Sequence, residues 1–301
     1  MIDTHCHLDQ LSALDLESWF SQNLDAVVAP AMGMDSLRRI LALADRWPGR
    51  VLPAAGVHPE NSPSLAQAEE MARWIDRNHS RITAVGEVGL PWYTLSPGAP
   101  IPPASLEILD LFLDRALRLD LPVILHAVHG AAAPCLARLR AKGVRRAVFH
   151  WLKAPEAVVR DILSAGYYVS VTPEVTTLER DHRLAELAFP DRLLLETDGP
   201  EPLRVPRTGP SSPLWVADSI RWLACRFGLT PEDLFRLALR QEPLDMGRVV
   251  VLDASQKEAE ARISVVENSL VYVYGTEMKQ ADKVVLPDSV IINASENQDV
   301  L

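Results

Sequence analysis

Met1-Ile2-Asp3-Thr4-His5-Cys6-His7 starts apolar and ends on two histidines one residue apart. In an extended strand, side chains at i and i+2 share a face. His5 and His7 are therefore expected on one face, with Cys6 turned the other way, toward helices. Comparable stretches recur at 26–31, 51–57, 82–89, 121–127, 146–151, 167–172 and 192–198, so that 1–7 is the first of eight. Most are short and rich in Val, Ile, Leu and Ala, which suits strands buried on both faces of a parallel sheet. Amphipathic stretches lie between them, near 35–47, 64–79, 104–120, 131–142, 155–165 and 178–189, with another near 213–227. Eight strands alternating with helices predict an α/β fold, a (β/α)8 TIM-type barrel. In that architecture the working groups stand at the C-terminal strand ends.

Six side chains that favour metals fall at those ends: His5, His7, Glu87, His126, His150 and Asp198. Glu87 lies inside Ala84-Val85-Gly86-Glu87-Val88-Gly89-Leu90, where a carboxylate is costly unless it is paired or bound to a cation. His126 ends Pro122-Val123-Ile124-Leu125-His126, and His150 ends Ala147-Val148-Phe149-His150. Either histidine alone reads as a satisfied core residue; both together at strand ends point to a metal centre. Four imidazoles and two carboxylates exceed the needs of one tetrahedral ion. They suit two divalent ions with Glu87 between them. The donor set admits Zn, Mn, Ni, Fe or Mg and disfavours Ca. Glu196 has the strand parity of Asp198, so it supports the site from behind or pairs with an arginine lower in the barrel.

The 301 residues are enough for one barrel plus an addition, and 48% hydrophobic content fills its core. The formal net charge is −10. Proteins that coat nucleic acid non-specifically are usually basic, so broad duplex binding is not expected. The charge is uneven. From Glu242 onward there are 11 acidic and 5 basic residues, a net of −6, which leaves −4 for the rest. The N-terminus enters a strand directly and is read as carrying no signal peptide, and no run approaches a membrane span. Cys6, Cys135 and Cys225 fall in unrelated segments without CxxC spacing, so a reducing, cytoplasmic setting is expected.

The barrel is expected over 1–241. It ends with a short helix opened by Thr230-Pro231-Glu232-Asp233 and running to about Arg240. β-branched runs follow at 248–254, 262–267, 270–275 and 283–293. They predict a small β-rich C-terminal appendix over 242–301, read as a cap, an oligomer contact or a surface for a protein partner. Ser96-Pro97-Gly98-Ala99-Pro100-Ile101-Pro102-Pro103 makes a stiff loop on the expected active face, or simply a helix entry.

Several fragments now align in one order: Asp3-Thr4-His5-Cys6-His7-Leu8-Asp9, Gly56-Val57-His58-Pro59, Gly86-Glu87-Val88-Gly89-Leu90, Pro122-Val123-Ile124-Leu125-His126, Phe149-His150 and Leu195-Glu196-Thr197-Asp198. In this the chain resembles the TatD family of metal-dependent hydrolases, within the amidohydrolase-like superfamily. The resemblance implies a TIM-type barrel, divalent metals and phosphodiester hydrolysis on DNA; deacylation of D-aminoacyl-tRNA is also associated with the family. It implies that His5, His7 and Asp198 hold one metal, that His126 and His150 hold the other, and that Glu87 bridges. His58 would contact the scissile phosphate or a further metal. The chain departs from the pattern at Pro91, where many members have aspartate, and at Ala127-Val128, where many carry serine and arginine. That arginine would grip phosphate. After His150, Trp151-Leu152-Lys153-Ala154 replaces a small turn; Lys153 takes over the phosphate charge or is simply solvated.

The expected function is that of a metal-dependent phosphodiesterase, a deoxyribonuclease acting on DNA ends or short single strands. Two ions would activate water and neutralise phosphate charge, with Asp198 and Glu87 as catalytic groups. Trp92, Tyr93 and Trp151 follow strand ends and stack on unpaired bases, or pack as loop aromatics. Two rivals stand beside this reading. One is an ester or amide hydrolase, such as an aminoacyl-ester deacylase. The other is a barrel scaffold that uses its tail as an interaction module.

Overall fold

Eight parallel strands follow one another in chain order around a single sheet: β1 Ile2–Asp3, β2 Ala26–Pro30, β3 Val51–Ala55, β4 Ala84–Gly89, β5 Val123–His126, β6 Ala147–Phe149, β7 Tyr168–Val171 and β8 Leu193–Leu195. The structure is a computed structural model, and it describes residues 1–11, 13–22, 24–230, 249–253, 270–274 and 291–293. The last strand returns to the first. Thr4 N–H donates to Leu195 O at 3.1 Å, Asp198 N–H to His5 O at 2.9 Å and His7 N–H to Gly199 O at 2.7 Å. These bonds close a (β/α)8 barrel of the TIM type. The strands are shorter than their sequence runs, trimmed at one or both ends where ladder pairing stops. His5 and His7 nevertheless keep the shared face expected of them, since Cys6 makes an isolated parallel bridge to Gly199.

Helices cover the outside: α1 Ala13–Phe20, α2 Met34–Arg46, α3 Leu65–Asn78, α4 Pro103–Leu119, α5 Ala132–Lys142, α6 Glu156–Ser164, α7 Glu179–Ala188 and α8 Val216–Phe227. Seven match the expected amphipathic stretches. The eighth, α1, is a short helix of 8 residues that lies outside the expected amphipathic stretches. The physical logic is plainest in α3. Ser64 and Gln67 form a reciprocal capping box, and Ala68, Met71, Ala72 and Ile75 place one buried stripe against the sheet. Burying Met71 and Ile75 contributes about 1.5–3 kcal/mol each.

Strand β4 takes an irregular path. Its pairing with β5 shifts register between Val85 and Val88, around Glu87. Two glycines make room for this. A Cβ on Gly56 would lie 2.5 Å from Glu87 O, and one on Gly86 would lie 2.6 Å from Ile124 Cβ. Neither neighbour is a side-chain end that swings away, so only glycine lets β3, β4 and β5 approach this closely.

The chain divides into two compact units, Met1–Gln241 and Glu242–Leu301. In the second, β9 Val249–Asp253, β10 Leu270–Tyr274 and β11 Ile291–Asn293 form a parallel three-stranded sheet in the order β11-β10-β9. The expected strands at 248–254 and 270–275 coincide with β9 and β10, and the end of 283–293 with β11. The expected strand at 262–267 and most of the helix at 230–240 lie outside the described residues.

Candidate metal centre

The barrel mouth gathers five imidazoles around one carboxylate. Glu87 is fully buried, and its two oxygens face different neighbours. Oε2 lies 3.2 Å from His5 Nε2 and 3.5 Å from His7 Nε2. The same two nitrogens lie 3.3 and 3.4 Å from Asp198 Oδ1. On the other side, Oε1 lies 2.7 Å from His150 Nε2, 3.1 Å from His126 Nδ1 and 3.1 Å from His58 Nε2. All six residues expected at strand ends therefore converge, and His58 joins them. Three ligand groupings are close enough to share an ion: His5, His7 and Glu87; His5, His150 and Asp198; His58, Glu87 and His126.

The electrostatics show a site short of positive charge. His5 Nε2, His150 Nε2, Glu87 Oε2 and Asp198 Oδ1 are buried atoms without a hydrogen-bond partner. Orphaned donors and acceptors of this kind are rare and costly unless something else satisfies them. With protein atoms alone, protons must balance the carboxylates. Burial pushes His150 down, but Glu87 and Glu196 outweigh it and raise the ring well above its ordinary value. His7 is lowered by burial and raised more by Asp198 and Glu87, to about 9. Burial raises Glu87, and the surrounding histidines bring it well below the usual carboxylate range. His5 moves the other way, lowered by burial and then by His150, on which it stacks at 3.9 Å. Two stacked imidazoles cannot both be charged at that distance. Orphaned ligand atoms and trapped protons both fit divalent cations, which would replace the protons and occupy the free lone pairs.

Partners on the far side of each ring decide which nitrogen faces inward. His7 Nδ1 lies 3.3 Å from Pro30 O. A carbonyl only accepts, so Nδ1 carries hydrogen and Nε2 is the nitrogen turned to the centre. His126 turns Nε2 to Glu60 Oε1 at 3.1 Å, which leaves Nδ1 for the centre. His150 Nδ1 faces Glu196 Oε1 at 3.5 Å. These are the outer carboxylate and carbonyl partners that orient metal-binding imidazoles. His58 is different. Its Nδ1 accepts from Glu60 N–H at 3.2 Å, so its proton sits on Nε2 and points at Glu87. In that tautomer His58 is a hydrogen-bond donor to the centre.

The backbone around the centre is pinned from behind. Asp3, fully buried, accepts from His5 N–H at 3.1 Å, from Thr197 N–H at 3.0 Å and from the Thr197 hydroxyl. Glu196 accepts from Trp151 N–H at 2.6 Å and Ser170 Oγ at 2.7 Å. It therefore supports the site and has no arginine partner among these contacts. Asp198 and Trp151 both have positive φ, 53° and 37°, which turns their side chains at the rim.

Trp92 and Lys153 stand at the rim of the mouth. Trp92 is 40% exposed and Tyr93 56%. Trp92 rests against His129 at 5.7 Å. Lys153 Nζ lies 3.5 Å above the Trp151 ring and donates to the Tyr93 hydroxyl at 3.2 Å. Burial, then Arg180, holds Lys153 below the ordinary lysine range. The position after His126 holds no cation, since Ala127 and Val128 are buried apolar residues.

Sequence reasoning did not single out Glu60 or Asp3. Burial raises Glu60, but His126 and the N–H groups of Trp92 and Tyr93 overcome this and hold the carboxyl well below its usual range. Its only signal was an acid directly after a His-Pro pair at a strand end. Asp3 was visible as a charge inside an apolar run, the same anomaly that marked Glu87.

A family profile described as TatD related DNase matches residues 2–239. A Haemophilus influenzae protein named an uncharacterized metal-dependent hydrolase is 34% identical over 204 residues, covering 66% of this chain and 81% of that one. The human deoxyribonuclease TATDN3 is 27% identical over 251 residues, covering 79% and 91%. Among solved structures, YJJV, a TatD homolog from Escherichia coli, superposes with a TM-score of 0.67 at 26% identity, over 79% of this chain and 95% of that one.

Proposed function

From the premise that this chain belongs to the TatD related DNase family and is a metal-dependent hydrolase of it, we propose that it cleaves phosphodiester bonds in DNA, at ends or in short single strands. The observation that carries this reading is the division of Glu87. One oxygen faces His5 and His7 beside Asp198, and the other faces His126 and His150. His5, His7 and Asp198 with Oε2 would hold one divalent ion; His126 and His150 with Oε1 would hold a second. Mg, Mn and Zn all suit these donors. Bound there, the ions supply Lewis-acid activation of water and neutralise charge on the phosphate.

The chain's own residues do the rest. Asp198 is brought to about 2, burial being outweighed by His7, His5 and His150, so it is ionised at neutral pH and orients the attacking water as an acceptor. His58, whose Nε2–H points at Glu87 here, would turn that donor to a non-bridging phosphate oxygen once Glu87 is taken up by the ions. Lys153 supplies the positive charge that Ala127-Val128 do not, from the loop after the neighbouring strand β6. Trp92 offers an exposed aromatic face to an unpaired base. Among the described residues no helix is long and apolar enough to cross a membrane.

The test is hydrolysis of a short 3′-labelled single-stranded DNA after chelation and metal add-back, with Glu87→Gln and Asp198→Asn alongside. Activity restored by Mg, Mn or Zn in the unmodified chain alone is the expected result. Binding of about two ions per chain with no cleavage under any metal would end the DNase reading and favour ester or amide hydrolysis.

A further inference from the structure

One carboxylate serves two parts of the mouth at once. Glu60 Oε1 accepts from the N–H groups of Trp92 at 2.7 Å and Tyr93 at 3.0 Å. Oε2 accepts from Thr94 N–H at 2.9 Å and from its hydroxyl at 2.8 Å. Oε1 also lies 3.1 Å from His126 Nε2. Three successive amides converging on one carboxylate form an anion-binding concavity that the chain fills itself. Beyond the clasp the loop is held through its side chains, by Trp92 on His129 and by Lys153 at the Tyr93 hydroxyl, and its backbone has few other bonds. Its first residue, Pro91, has no N–H, and the bond from Ala99 N–H to Ser96 O at 2.9 Å lies farther along.

We propose that Glu60 is a positioning residue. It locks the aromatic rim made by Trp92 and Tyr93 to the His126 side of the cluster, so that an unpaired base stacks at a fixed distance from the scissile phosphate. The clasp itself stands on geometry alone; its use in placing a base rests on the nuclease reading above. A carboxylate is needed because both oxygens accept, and a glutamine amide loses half of that capacity. The position next to Pro59 is needed because the short turn at Pro59–Asn61 fixes where Glu60 leaves the backbone.

The experiment uses the full chain as Glu60→Ala and Glu60→Gln. Amide hydrogen exchange across 91–95 is followed in chelated protein. KM and kcat are then measured, after metal add-back, for a short oligonucleotide and for a small phosphodiester that carries no base, with metal content by elemental analysis. In Glu60→Ala the exchange at Trp92–Thr94 is expected to speed up about tenfold or more, as several charge-assisted hydrogen bonds are lost. Because Glu60 also stands behind His126, metal affinity and turnover on both substrates are expected to fall together. At saturating metal, oligonucleotide KM is expected to rise about tenfold more than that of the small phosphodiester. Glu60→Gln is expected to fall between, as a partial rescue. Unchanged exchange in Glu60→Ala overturns the clasp. Equal changes in KM on both substrates at saturating metal overturn the positioning role, because Glu60 would then act through His126 alone. If the unmodified chain cleaves no DNA, the nuclease reading falls while the exchange result still decides the clasp.

Discussion

The two sides of Glu87 are built by different means. Around Oε2, main-chain bonds across the β8–β1 seam set His5, His7 and Asp198: Asp198 N–H to His5 O and His7 N–H to Gly199 O, with the Asp3 carboxylate accepting from His5 N–H behind them. Around Oε1, side-chain carboxylates set the histidines: Glu60 behind His126 and Glu196 behind His150. Backbone hydrogen bonds inside a closed sheet have few alternative arrangements. Side-chain partners can be altered singly, and Glu60 reaches the rim. One half of the centre is thus fixed by the fold, and the other is tunable and in touch with whatever enters the mouth.

The strongest way to break the comparison is to remove what both sides share. Glu87→Gln is expected to lower kcat/KM on single-stranded DNA by about a thousandfold and to reduce bound metal, as measured by steady-state kinetics and elemental analysis. If only one ion is lost and activity survives, the two halves are independent. Next, Glu196→Gln perturbs the Oε1 side alone. It is expected to weaken metal affinity by about 10–100-fold, read by competition with a chromogenic chelator, with retained ions on the His5–His7 side. Loss of all metal would show that the sides cannot be separated.

The pH dependence sharpens the Oε2 side. In metal-free protein His7 keeps its proton up to about 9. That proton competes with a cation, so apparent metal affinity is expected to rise with pH, by about tenfold per unit for each proton displaced, and to level off above about 9. For stability the sign is opposite. A raised histidine value stabilises metal-free protein fully below its unfolded value of about 6.5, and this is lost as pH rises toward 9. Calorimetry in two buffers of different ionisation heat would count the released protons. The smallest effect is at the rim. Trp92→Ala is expected to weaken oligonucleotide binding near the low end of about 1–3 kcal/mol, without changing metal content. Trp92 is partly exposed and already leans on His129. Fluorescence anisotropy would measure it.

The barrel was legible in the sequence because buried parallel strands write themselves as short continuous apolar runs. The six side chains that converge on the centre were legible because each interrupts or ends such a run with a polar group that has no local partner. Helix α1 was not, since 8 residues give barely two turns of periodicity. Glu60 was not legible either. Its value lies in contacts 32 to 66 residues away, with Trp92 and His126, and an acid in a surface turn carries no mark of them. The division of labour among the histidines was likewise hidden, because a ring's tautomer depends on what stands behind it in space. For the second unit, sequence texture and the three described strands agree on β-structure, and the proposal of a partner-binding role stays with deletion of 242–301 as its test.

The seam between β8 and β1 also sets an order in time. Asp3 and Thr197, bonded to each other, are 194 positions apart. A ribosome must deliver nearly the whole barrel before His5 and His7 meet Asp198. Closing so long a loop is slow, and the entropy is lost before the contacts return anything. A nascent chain or a truncated product therefore carries two histidines that are harmless alone. Hydrolytic competence arrives with the last strand.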